Sequence, residues 1–305
     1  MKIKTAAFIT FFLFVSFITN AQLKELSADN GIIKVKLDLT RGGAIKYLSF
    51  SDDDRNLVNI HDEGRYIQQS YYAGKSLDRK NDGQSSHWSP WSWNPIQVGD
   101  AFGNRAQILD SFKSDDTLYV KLIPMLWDMN NEPAEAVMEQ WTILKNNILE
   151  VHNKLICFRT DTIYGENIAR GQELPAVYPI SDLDKLFCYI GDLPFTNDTL
   201  SNPTVIKLSS GFWGRYNNVT EHWMAFAGSD MNGIGVYNPK CTMFLAGMSG
   251  KPGHESTDAS TSYIAPIKKE VLNKTSIYEY TYYIIVGSID KIRADVYDLN
   301  KIESK

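Results

Sequence analysis

Residues 64–72 bring one guanidinium (Arg65), two carboxamides (Gln68, Gln69), the Ser70 hydroxyl and three phenols (Tyr66, Tyr71, Tyr72) together around one aliphatic side chain, Ile67. Such a mixture suits a groove that holds a polar ring better than it suits a core. An aromatic run follows, Trp88-Ser89-Pro90-Trp91-Ser92-Trp93-Asn94-Pro95, and two more clusters lie further on. Arg170-Gly171-Gln172-Glu173 pairs a guanidinium with a carboxylate. Arg215-Tyr216 precedes Glu221-His222-Trp223, which sets an imidazole beside an indole.

These residue types fit β-elimination at a uronic acid. The proton at C5 lies next to a carboxylate whose charge opposes carbanion formation, so arginine and amide donors on that carboxylate stabilise the enolate-like transition state. A histidine or tyrosine then takes the proton, and a tyrosine protonates the leaving oxygen. The expected catalytic set is His222, Tyr71, Arg65, Gln69 and Glu173. Trp91 and Trp93 are expected to stack on sugar rings, with Asn94, Gln97, Arg170, Arg215 and Trp223 completing the binding surface. The reading is a carbon–oxygen lyase, a dehydratase if water leaves and a polysaccharide lyase if a sugar does. Three alternatives stand beside it. A glycoside hydrolase would pair Glu173 with Asp100, a sugar epimerase would use His222 and Glu173 as acid and base, and a carbohydrate-binding protein needs only the tryptophans and amides.

Strands must position these groups. In a regular strand Arg65, Gln69 and Tyr71 share the face of Ile67 while Gln68, Ser70 and Tyr72 share the other; the first face is the one assigned to the groove. Residues 31–40 alternate, with Ile33, Val35, Leu37 and Leu39 on one side, and Gly42-Gly43 turns the chain into a second strand at 44–50. Residues 117–125 form another strand, and 136–144 with 147–158 form a hairpin across Lys145-Asn146. Further strands fall at 221–226, 233–237, 242–246 and 276–286. Only 289–299 reads as a helix, with Ile292, Val296 and Leu299 on one stripe. The pattern predicts an all-β fold, a large antiparallel two-sheet β-sandwich with one C-terminal helix.

The N-terminus has the form of a secretory signal peptide. Lys2 and Lys4 precede an apolar run to Ile18, and Thr19-Asn20-Ala21 offers a cleavage site. Residues 1–21 are therefore expected to be removed, leaving 22–305 as one secreted or periplasmic domain with no membrane span. The net charge of −5 in 305 residues excludes a nucleic-acid partner in this reading. Cys157, Cys188 and Cys241 share no CxxC spacing, so neither a metal cluster nor any cofactor is expected; one disulfide with a spare thiol and three buried thiols both fit. The partner is an oligosaccharide or polysaccharide.

The opening strand, the Gly42-Gly43 turn and Ala44-Ile45-Lys46-Tyr47-Leu48-Ser49-Phe50 resemble the galactose-mutarotase-like supersandwich proteins. That resemblance implies two large sheets and a concave polar face that binds carbohydrate, in a family that includes sugar epimerases and the sandwich domains of polysaccharide lyases. The catalytic histidine and glutamate pattern of the epimerases has no local match here, and no catalytic residue follows from it. The chain is also similar in style to ulvan-type oligosaccharide dehydratases and lyases.

Overall fold

The computed structural model describes residues 23–203, 213–253 and 255–303. The expected leader, residues 1–21, lies outside them. The sandwich is present, built from two large antiparallel sheets and closed by one C-terminal helix.

The first sheet runs, in spatial order, Glu25–Asp29, Ile33–Asp38, Ala44–Phe50, Ile67–Ser70, Ala169–Val177, Thr261–Val271, Met243–Ser249 and Trp213–Tyr216. The second runs Lys185–Cys188, Trp223–Ala227, Asn232–Tyr237, Ile277–Ser288, Ile148–Cys157, Ala136–Lys145, Thr117–Ile123 and Gln107–Ser114. A short ribbon pairs Ala73–Leu77 with Trp91–Trp93. The hairpin expected across Lys145-Asn146 is present, with Lys145 paired to Ile148.

Period-2 alternation explains the core. Ile33, Val35 and Leu37 are fully buried, as are Leu118, Val120 and Leu122 from the facing sheet, and the two rows interlock. The glycine turn is there because a side chain would not fit. Gly42 has φ +61°, and a Cβ on it would lie 1.9 Å from the Gln97 carbonyl oxygen. The helix Ile289–Glu303 packs Ile292 and Val296 onto the outer face of the second sheet, against Trp223, Ala225, Tyr237 and Tyr283. Gly235 makes room for it, since a Cβ there would meet Ile292 Cγ2 at 2.4 Å. The three cysteines are free buried thiols, and burial pushes each thiol up to about 12.

Alternation misplaces the residues around Ile67. The strand is Ile67–Ser70, not 64–72, because Tyr66 adopts φ 71° and resets the side-chain parity ahead of it. Arg65 thereby joins the side of Gln68, Ser70 and Tyr72. Gln69 and Tyr71 point into the sandwich.

Candidate functional site

A groove of about 460 Å³ lies on the outer face of the first sheet. Its floor is Ser70, Glu173, Ala176 and Tyr263 from three neighbouring strands, with Tyr72 from two residues beyond the first of them. Its walls are indoles and phenols, with Trp88, Trp91 and Trp127 toward one end and Tyr178 and Trp213 beside Tyr263. Asp62, Glu63 and Arg65 come from the turn before Ile67.

Glu173 is the chemical centre. Its strand carries a register irregularity between Glu173 and Val177, where Pro175 has no N–H to give the ladder. The carboxylate is half-buried: surrounded by protein, with its accessible edge toward the groove. Tyr263 donates a hydrogen bond to Oε1 at 2.6 Å, and Tyr72 reaches Oε2 at 3.4 Å. Burial raises the Glu173 pKa, and the Tyr263, Ser70 and Tyr72 hydroxyls reverse only part of that. Burial, followed by the charge of Glu173, holds the Tyr72 and Tyr263 phenols well above their ordinary range. Both stay neutral donors. A carboxyl whose pKa is raised above the ordinary glutamate value, set beside hydroxyl donors and open to a groove, is a candidate acid–base group.

Arg65 stands over the Tyr178 ring, its guanidinium carbon 5.4 Å from the centroid. It also lies 3.6 Å from Asp62 and donates to the Ala259 carbonyl at 3.3 Å. Gln68 uses its amide on backbone, donating to Glu63 and Arg65 carbonyls and accepting from Val98 N–H. Glu63 binds both Arg41 and Arg105.

Of the residues given catalytic or binding roles from the sequence, Arg65, Glu173, Trp91 and Asn94 line the groove together. Asn94 is buried, accepting from the Trp91 indole at 3.0 Å and donating to the Tyr71 carbonyl at 2.7 Å, so it fixes the Trp91 ring. The others do not line it. The Tyr71 hydroxyl donates to Gln69 Oε1 at 2.8 Å, and its ring packs edge-on against Tyr278 and Tyr280 of the opposite sheet. Gln69 donates across to the Glu139 carbonyl, and Gln97 ties Gly42 to Gln140. These are bonds that join the two sheets. Trp93 is core, with the Arg159 guanidinium 4.9 Å from its ring. Arg170 holds the Gly74 carbonyl and Ser76, and Arg215 is exposed on an edge strand.

Trp223 opens a strand of the second sheet, and His222 lies in the bend just before it at φ 61°. Trp223 is fully buried beneath the helix and donates to Glu221 at 3.0 Å. Glu221 also binds Arg293 through both oxygens and accepts from Tyr297. This network fastens the helix. Burial lowers the His222 pKa, partly offset by a hydrogen bond to the Pro239 backbone, and its ring lies edge-on to Phe195 at 6.5 Å. Asp100, the expected hydrolase partner, is fully buried and accepts from Phe102 N, Asn104 N, Asn104 Nδ2 and Asn131 N. It shapes a loop.

Sequence reasoning missed Trp127, Tyr178, Trp213 and Tyr263. Tyr263 was recoverable, because it opens the apolar run Tyr263-Ile264-Ala265 ahead of the charged Lys268-Lys269-Glu270, but Pro266 disguises the strand.

No protein-family model and no curated protein matches the sequence. Solved structures do share its architecture. The galactose mutarotase related enzyme from Lactobacillus acidophilus aligns with a TM-score of 0.54 at 11% identity, over 87% of this chain and 97% of that one. A protein provisionally assigned as an aldose 1-epimerase from Escherichia coli gives 0.51 at 11% identity, over 87% and 99%. A protein from Synechocystis sp. gives 0.52 at 11% identity, over 87% and 95%. The chain has the galactose-mutarotase-like fold.

These neighbours overturn the carbon–oxygen lyase read from the sequence. The Lactobacillus and Escherichia coli proteins are mutarotase- and epimerase-related, not lyases. Gln69, Tyr71 and His222, expected to act together on the substrate, are not among the described residues that line the groove.

Proposed function

We propose that this chain is a sugar epimerase that interconverts the anomers of an aldose in the groove, with Glu173 as its base. The observation that carries the reading is the raised carboxyl of Glu173, set among indoles and phenols and oriented by the Tyr263 hydroxyl. The aromatic walls suit the C–H faces of a pyranose. Glu173 takes the proton of the C1 hydroxyl while the C1–O5 bond breaks and O5 gains a proton. Tyr178 supplies that proton as a neutral phenol; burial and then the Glu173 charge raise its pKa, and the neighbouring Arg65 charge offsets part of this. The open-chain aldehyde turns about C1–C2, and closure on the opposite face returns each proton to its source. The shared fold with a mutarotase-related enzyme supports this reading.

A second reading is a sugar-binding protein without turnover. It is favoured by the absence of histidine among the described residues that line the groove. Polarimetry on freshly dissolved α-D-glucose and α-D-galactose separates the two. Faster mutarotation with the wild type, lost in Glu173→Gln, supports the epimerase; saturable binding with unchanged mutarotation supports the binder.

A further inference from the structure

The aromatic walls are two clusters, and they meet at one carboxylate. On the Oε2 side Tyr72 lies 6.3 Å from Trp91, Trp91 lies 5.2 Å from Trp88, and Trp88 lies 5.7 Å from Trp127, centroid to centroid. On the Oε1 side Tyr263 lies 4.8 Å from Tyr178 and 5.8 Å from Trp213. Tyr72 and Tyr263, the inner member of each cluster, are the two phenols that reach Glu173. Trp88, Trp91, Trp127, Tyr178 and Trp213 all keep part of their surface exposed to the groove. Each cluster offers an aromatic surface on which one sugar ring can stack. The volume of about 460 Å³ falls within the roughly 300–1,000 Å³ of pockets that enclose drug-sized ligands.

The charges also restrict the ligand. Among the described residues lining the groove, Arg65 is the one cation, and it lies beside Asp62. The nearby Arg41 and Arg105 both bind Glu63. Glu173 and Asp62 would repel a carboxylate or sulfate on the sugar, and among the described residues lining the groove no cation besides Arg65 offsets them.

We infer that the groove binds an uncharged oligosaccharide of at least two rings, one on the Trp88–Trp91–Trp127 cluster and one on the Tyr178–Tyr263–Trp213 cluster. The inference rests on the sugar-handling reading above and adds the size and charge of the ligand. In an epimerase the reacting ring is the reducing end, and the second cluster holds its neighbour.

Calorimetric titration with glucose, galactose, maltose, cellobiose, lactose and cellobiouronic acid tests it, with mutarotation followed in parallel. At least one neutral disaccharide should bind about tenfold or more tightly than its component monosaccharides, the scale of added aromatic contacts. Cellobiouronic acid should bind more weakly than cellobiose. Trp127→Ala and Trp213→Ala should each weaken the favoured disaccharide by about tenfold, and the double variant should erase its margin; circular dichroism checks that both fold. Equal affinity for one ring and two in the wild type, or tighter binding of the uronate, overturns the inference without recourse to variants. Disaccharide binding without mutarotation removes the epimerase reading and leaves this one. Monosaccharide mutarotation with no gain from a second ring does the reverse, and a protein that binds none of the six sugars overturns both.

Discussion

The Tyr263 hydroxyl sits 2.6 Å from Glu173 Oε1, on the strand beside it in the first sheet. That bond aims one oxygen and leaves the accessible edge of the carboxylate for a ligand. It also makes the ionised form easier to hold in a site whose burial opposes it.

Glu173→Gln keeps the shape of the side chain and removes its basicity. Mutarotation should fall by about 10²–10⁴-fold, the usual contribution of a positioned base, while sugar affinity measured by calorimetry stays within a few-fold. Retained turnover in the folded variant would exclude Glu173 as the base.

The rate should rise with pH as Glu173 loses its proton, with a midpoint above the ordinary glutamate value because the folded pKa is raised. Tyr263→Phe removes a hydrogen bond that favours the carboxylate, so the midpoint should move to still higher pH. A midpoint unchanged or lowered in Tyr263→Phe would show that this phenol does not tune the carboxylate.

The same shift has a consequence for stability. A carboxyl raised in the folded state stabilises the fold when protonated, and that contribution is lost as pH rises from the unfolded value through the folded one. Glu173→Gln should therefore gain stability relative to wild type across that window. Chemical denaturation at stepped pH reads the difference; a gap that closes as pH rises has the wrong sign.

Glu221 behaves in the opposite sense. Burial raises its carboxyl, but Arg293, Trp223 and Tyr297 outweigh this, and the net direction is down. Its contribution is present above the unfolded value and lost as pH falls through the folded one. Arg293→Met leaves the carboxylate fully buried without its cation and should cost about 3–5 kcal/mol. Urea denaturation checks this, and a loss under 1 kcal/mol would mean that the network relaxes freely.

Tyr71→Phe serves as a control, since Tyr71 was read from the sequence as catalytic and lies in the core. The change deletes one buried bond to Gln69 and should cost about 1 kcal/mol of stability. Mutarotation should be unchanged. A large loss of turnover in a stable variant would return Tyr71 to the site.

Much of the fold was legible because alternation is a local signal. Ile33–Asp38, Ala44–Phe50, the hairpin around Lys145-Asn146 and the helix stripe through Ile292 and Val296 all repeat at a fixed spacing. The groove was half legible. Arg65, Glu173, Trp91 and Asn94 announced themselves by residue type, but the choice between the two faces turned on the backbone of a single residue. Tyr66 at φ 71° shifts the phase, and nothing in its side chain signals that conformation. Tyr178, Tyr263 and Trp213 come from strands and turns far along the chain. Their meeting at Glu173 is set by which strands are neighbours, a fact that no local window contains.

The strand Ile277–Ser288 lies in the interior of the second sheet, paired on one side with Asn232–Tyr237 and on the other with Ile148–Cys157. It is also the last strand in sequence among those described. During synthesis, every earlier strand of that sheet emerges before the one that joins its two halves. Until residue 288 clears the ribosome, two sheet fragments carry open edges exposed to mispairing. Joining the two halves of the sheet therefore depends on contacts between distant parts of the chain, and slow folding is the kinetic signature of this topology.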